Sequence, residues 1–268
     1  MTARSLLVRG LVAGLVAGVA TFLVAYAVGE PHVEAAIALE GTGDGGTTHD
    51  HGAPSADSHL HTHDHGAAAD GGTEVSRVDQ RTWGLLTGTL AVGLALGGIV
   101  ALVAAATLGR IGELRPSQST AIVALIGFVA YALVPFLKYP AAPPAVGSGD
   151  TIGDRTALYF GFVVVSVAAA ALATYAALRL RRRIGTYGSV VAGSVGYLAV
   201  VVVAGQLFGT VNEVGDFPAD TLWFFRRASL LTLATMWAVL GVVLTGLVGR
   251  LHATDLARTE RRALAASL

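Results

Sequence analysis

Residues 82–108 read TWGLLTGTLAVGLALGGIVALVAAATL, 27 residues without one charged side chain. Wound as an α-helix, that stretch is about 40 Å long and overreaches the ~30 Å hydrocarbon core of a bilayer. Lipid offers no partner to an open backbone, so the stretch is expected as a membrane-spanning helix. Five more segments meet the same test: 6–28, 120–137, 156–178, 187–208 and 228–248. Over 268 residues, 53% are hydrophobic and 13% charged, too little charge to cover a water-soluble chain of this size. The expected fold is all-α: a single polytopic membrane domain over residues 1–268, a bundle of six transmembrane helices. The first apolar run follows Arg4 and Arg9, as a signal peptide would. It is longer than a signal core and ends in Glu30-Pro31-His32 without a small-residue cleavage site, so it is read as a retained span.

Charge orients these spans. Alternating them from a cytoplasmic N-terminus puts 12 of the 18 basic residues inside, from Arg4 through Arg181-Arg182-Arg183 to Arg262. Only three acids share that side, Glu113, Asp255 and Glu260, while 15 acids fall outside. Arginine-rich short loops stay inside, so both termini are expected in the cytoplasm of an inner-membrane protein. Glycines repeat every four residues at Gly10, Gly14 and Gly18, at Gly84 and Gly88, at Gly93 and Gly97, and at Gly205 and Gly209. Faces of this kind let helix backbones approach closely.

Several functions are excluded by what is missing. Without cysteine there is no disulfide framework and no thiolate metal site. The single lysine, Lys138, does not follow a glycine, so the chain has no phosphate-binding Walker loop. No nucleophile–base set or cofactor loop appears. The chain is read as a non-enzyme with no tightly bound cofactor and no nucleic-acid partner.

What remains is a polar loop at 41–72, expected to be disordered and extracytoplasmic between spans one and two. It holds six of the eight histidines: His49, His51, His59, His61, His63 and His65. Alternate residues of an extended chain lie about 6.7 Å apart, too far to share an ion held at roughly 2 Å. A turn brings His59 to His63, or His61 to His65, into chelating range. Imidazole with carboxylate suits cobalt, nickel, zinc or copper(II) rather than magnesium or calcium, and protonation near about pH 6.5 releases the metal. Such a loop concentrates ions at a mouth and is not itself a translocation site. The plainer reading is a low-complexity insertion that binds metal weakly and to no purpose.

The outward ends of the spans carry a second polar layer. Glu30 and His32, beside Glu34, are candidate metal ligands near membrane depth, and residues 33–39 extend the first span as a short interfacial helix. Glu40, Lys138, Asn212, Glu213, Asp220 and Arg226 form a candidate transport rim. So many acids suggest an ion vestibule, with Lys138 and Arg226 as alternative partners for them. For any one residue the plainer explanation is interfacial anchoring or an ordinary rim salt bridge; it is the set together that looks like a vestibule. The span interiors are almost free of ionisable groups, unlike a stand-alone pump, so a partner subunit is expected.

Certain polar stretches point to a family: Glu30-Pro31-His32 with Ala36-Ile37-Ala38-Leu39-Glu40, and Val134-Pro135-Phe136-Leu137-Lys138-Tyr139-Pro140 through Pro143-Pro144. To these add Val75-Ser76-Arg77 with Gln80-Arg81, Gly147, Thr151-Ile152-Gly153 with Arg155-Thr156, Val211-Asn212-Glu213-Val214, and Phe217-Pro218-Ala219-Asp220 with Leu222-Trp223. On these residues the chain resembles the CbtA family, the larger membrane subunit of predicted cobalt transporters, over most of its length outside the histidine loop. The resemblance implies cobalt uptake, often linked to cobalamin synthesis, and a small single-span partner with its own histidine-rich end. A homo-oligomer is the other assembly considered. Family members are described with five spans, where hydropathy and charge here count six.

The function read from the sequence is inner-membrane uptake of a divalent transition-metal ion, cobalt before nickel or zinc, captured by the external histidine loop. An exporter is the first rival, and the arginine-rich inner face counts against it. A non-transporting membrane scaffold or metal sensor, acting through a partner subunit, is the second.

Overall fold

The computed structural model describes residues 2–43, 76–112 and 114–267. All the regular structure among them is helical. The six loop histidines, and most of the 41–72 segment, lie outside the described residues. Five helices are long and apolar enough to cross a membrane: α1 (Ala3–Glu40), α2 (Arg77–Thr107), α3 (Pro116–Lys138), α4 (Gly149–Leu207) and α5 (Ala219–Ala266). The extension expected at 33–39 is not a separate element, because α1 runs through it without a break.

Where the sequence reading separated 156–178 from 187–208, the structure has the single element α4. A straight helix of its 59 residues would run roughly 88 Å, nearly three bilayer cores. It is not straight. Gly185 sits at φ 74°, ψ 175°, a conformation essentially restricted to glycine, and the chain doubles back there. Arg181 Nε donates to Thr186 Oγ1 at 3.1 Å across the bend. Further along, the Ser166 and Tyr197 hydroxyls meet at 2.9 Å, and Phe162 stands edge-on to Phe208 at 5.5 Å between ring centroids. The arms of α4 are therefore antiparallel neighbours. Gly185→Ala is expected to cost about 1–3 kcal/mol, because alanine cannot hold that backbone without strain. Gly196 lies in the helical second arm with open space around its would-be Cβ. Alanine there should be neutral or stabilising by up to about 1 kcal/mol. Unfolding midpoints of the purified variants in detergent test this, and two shifts of the same sign would contradict the hairpin.

Helices α1 and α2 pack antiparallel through glycine. A Cβ at Gly18 would stand 2.8 Å from the Thr89 carbonyl oxygen, and at Gly10 or Gly14 it would overlap the carbonyls of Gly97 or Gly93 outright. The other repeats are not used this way: nothing lies within 4 Å of a Cβ at Gly88 or Gly205, and Gly209 meets only Leu158 at 3.8 Å. Over the α1–α2 pair lies α5, whose Leu240, Leu244 and Val248 are fully buried with Leu6, Ala13, Ala17 and Val100. On its other side α5 meets α3, where Trp237 fills the space left by Gly127 and packs on Phe128 and Tyr131. From α3, Ala130 turns to the hairpin, against Ala169, Ala170, Tyr197 and Val201. Large apolar side chains such as Val164, Val195 and Val242 cover the outer surface, as lipid-facing positions do.

This packing gathers the segment ends into two rims. An arginine rim holds Arg181 against Gly112, with Gly249 near Ser117. The opposite, polar rim holds the ends that meet around Glu30, Lys138 and Glu213.

A charged cavity at the polar rim

Three helices reach the polar rim through π turns: Ala25–Gly29 in α1, Gln80–Gly84 in α2 and Phe128–Leu133 in α3. Two of them have a local cause. Pro31 and Pro135 have no N–H to offer the carbonyl four residues back, and their rings crowd it. The preceding turn widens in response: the Glu30 N–H bonds to the Ala25 carbonyl, and the Val134 N–H to that of Val129, each five residues away. Such turns recur at functional sites.

Just beyond them opens a cavity of about 720 Å³ with walls drawn from all five long helices. Among the described residues its charged lining is Glu30 of α1, Lys138 of α3, Arg155 of α4, Arg226 of α5 and Glu213 from the connection before α5. Most of the remaining wall is apolar, including Val33, Leu85, Phe136, Phe225 and Leu233.

Glu213 ties two connections together. Its carboxylate accepts from the Ser148 N–H at 3.2 Å and from the Thr151 hydroxyl at 2.9 Å, with Arg155 Nε 3.6 Å away. Arg155 in turn donates to the Ser148 carbonyl at 3.0 Å. Room for this pair comes from Gly147, at φ 93°, where a Cβ would overlap the Arg155 guanidinium and stand 2.8 Å from Glu213 Oε2. Two residues earlier Ala145 is held at φ 66°, which costs a non-glycine residue about 1–2 kcal/mol. Tyr139 closes another side by donating its hydroxyl to the Gly209 carbonyl at 2.6 Å. Burial pushes the Tyr139 phenol above its ordinary pKa, which keeps it a neutral donor.

Two other rim acids, Glu30 and Glu34, are also held by arginine. Glu30 accepts from Arg77 at 2.5 Å with its side chain 12% exposed, and Glu34 pairs with Arg81, which also donates to the Tyr26 hydroxyl.

The family model described as a probable cobalt transporter subunit, CbtA, matches residues 3–249. The chain belongs to the CbtA family. It is thus a multi-pass membrane protein of a cobalt-transport family, and one whose designation as a subunit implies a partner. No curated protein and no solved structure matches it. In this CbtA member, four of the candidate site residues converge: Glu30, Lys138, Glu213 and Arg226 all line the cavity. His32 instead stacks on Phe224, 5.8 Å between centroids. Glu40, Asn212 and Asp220 are exposed and do not line it. Among the described residues no three His, Asp or Glu side chains come together as a metal site. The sequence reading had Arg77, Gly147, Thr151 and Arg155 among the family-matching stretches but did not pair Arg77 with Glu30, or Arg155, Thr151 and Ser148 with Glu213. The available signal was that these matching stretches and the small set of basic residues share one acid-rich rim.

Gly147→Ala should force Arg155 and Glu213 apart and release the connection between α3 and α4. Faster amide hydrogen exchange across residues 140–151 is the expected result. Exchange unchanged from the parent would show that the pair does not depend on the glycine.

Proposed function

We propose that this chain is the main membrane subunit of an importer for a divalent transition-metal ion, cobalt before nickel or zinc. The observation that carries the reading is the polar-rim cavity. The stretches on which the family resemblance rests, around Glu30, around Lys138 and around Glu213, lie far apart in sequence and meet in its wall. Six crossings are part of the proposal. The arms of α4 on either side of Gly185 are roughly 50 and 33 Å long, each enough for one crossing. With six crossings, the excess of arginine at one rim supports a reading with both termini in the cytoplasm of the inner membrane and the cavity facing outward.

On this reading the histidine loop captures metal outside. It joins α1 to α2 at the polar rim, so ions it holds are delivered beside the cavity. An inside-negative potential favours entry of a divalent ion by about 4.6 kcal/mol per 100 mV, so uptake needs no ATP site in this chain. The partner is a small single-span subunit with a histidine-rich end.

The alternative, a scaffold or sensor that acts through its partner, is favoured by one observation: no ready-made three-ligand metal site exists among the described residues. Deleting residues 47–66 separates the two. An importer loses affinity and keeps flux at high metal, whereas a sensor loses its response. The primary test is radioactive cobalt uptake by cells lacking their own importers, expressing the chain with and without its small partner. Accumulation above the empty vector, lost in Lys138→Ala and Glu213→Ala, is expected. No accumulation from either, with insertion verified, would leave the scaffold reading.

A further inference from the structure

Two cations in the cavity wall, Lys138 and Arg226, have no acidic partner among the described residues. Lys138 Nζ lies 5.4 Å from the centroid of the Tyr139 ring, and Arg226 Nε is buried without a hydrogen-bond partner. Both carboxylates in the same wall are already engaged, Glu30 by Arg77 and Glu213 by Arg155, Thr151 and the Ser148 N–H. Among the described residues the wall therefore sets three cations against two carboxylates, with the charge of Arg77 behind Glu30.

A bare divalent cation meets net repulsion in such a place. An anion meets attraction, strengthened by the apolar wall that thins the water between charges. Oxyanions also satisfy what Arg226 lacks, since a guanidinium left unpaired in a partly buried wall regains its hydrogen bonds from a carboxylate or phosphate.

We infer that the cavity is an oxyanion site, binding a carboxylate or phosphate group between Lys138 and Arg226. Two sources supply that chemistry. A soluble polycarboxylate would bring metal to the cavity as an anionic chelate, and a membrane lipid would place its phosphate there. The site stands independently of the uptake reading, because binding is measured on purified protein without transport.

The test uses the full chain in detergent, titrated calorimetrically with citrate, with cobalt citrate and with cobalt chloride alone. Citrate is expected to bind, and Lys138→Gln or Arg226→Gln to weaken it by at least about tenfold. Lys138→Arg, which keeps the charge, should retain most of the affinity. A parallel arm reconstitutes the protein in nanodiscs of phosphatidylglycerol or phosphatidylcholine and counts retained lipid by native mass spectrometry. Phosphatidylglycerol kept by the parent and lost in the same two variants identifies the lipid source. The inference is overturned if neither citrate nor phosphatidylglycerol depends on Lys138 and Arg226, or if cobalt chloride alone binds more tightly than citrate in the parent. Should a glutamine variant fail to elute as one species, competition on the parent decides: citrate that inorganic phosphate cannot displace also overturns the site.

Discussion

Gly14→Leu is expected to leave little folded protein, and Gly14→Ala to be clearly destabilised. A Cβ at Gly14 would overlap the Gly93 carbonyl oxygen and stand 2.8 Å from its carbon and 3.1 Å from Leu94 Cα. All three are backbone atoms, so no rotamer change gives relief and the helices must separate. Separation at Gly14 also opens the close approaches at Gly10 and Gly18, where the partners are again the carbonyls of Gly97 and Thr89. Overpacking against movable side chains costs about 1–3 kcal/mol, and against rigid backbone the cost belongs at or beyond the upper end. Little offsets it, since apolar side chains gain nothing by leaving lipid for a helix interface. The damage should reach the cavity as well, because Glu30 and Arg77 extend the same α1–α2 pair toward the polar rim. Gly88→Leu is the control: the would-be Cβ meets nothing within 4 Å. Both variants are compared by the denaturant midpoint and by the fraction eluting as a single species in mild detergent. A Gly14→Ala protein as stable as the parent would mean that the helices sit further apart than these contacts require.

The contrast between Gly14 and Gly88 also shows how far the sequence could be read. Four-residue glycine spacing marks a face that permits close approach, but spacing does not say which face meets a helix and which meets lipid. Spans were legible because the demand is collective: some twenty apolar residues in a row have few other uses. The return of the chain between 178 and 187 was legible for the same reason, though the residue that turns it, Gly185, was not singled out. Pairing at the rim was harder. Lys138 and Arg226 stood out as possible counter-ions for the acids, yet the arginines that hold them are Arg77, Arg81 and Arg155. Which charge meets which depends on helix rotation, and α1, α2 and α3 each change rotation at a π turn before reaching the rim. Pro31 and Pro135 were visible in the sequence, but a proline in a helix can kink it, end it or widen the turn before it, and tertiary packing decides among these.

One of those π turns is held by Trp237, and there two substitutions should part company: Trp237→Ala strongly destabilising, Trp237→Phe nearly neutral. The indole is 5% exposed, fills the space over Gly127 and packs on Phe128 and Tyr131, the first and fourth residues of the α3 π turn. Truncating a buried tryptophan in a water-soluble core costs about 3–5 kcal/mol, from lost transfer energy together with the cavity left behind. In a bilayer the transfer contribution shrinks because lipid is as apolar as the core, while the lost dispersion contacts remain, so about 2–3 kcal/mol is the better expectation. Phenylalanine keeps most of the contacts. It also removes the indole N–H, which is buried without a hydrogen-bond partner and whose desolvation costs about 1–3 kcal/mol in the parent. That gain and the smaller ring act in opposite directions and come close to cancelling. The consequence for function runs along α3. With the π turn unsupported, Lys138 loses its fixed place in the cavity wall, so cobalt uptake should fall in Trp237→Ala beyond what reduced protein level explains and stay near the parent value in Trp237→Phe. Equal losses of stability in the two would show that the indole N–H is satisfied after all, by lipid or water, and that its removal brings no gain.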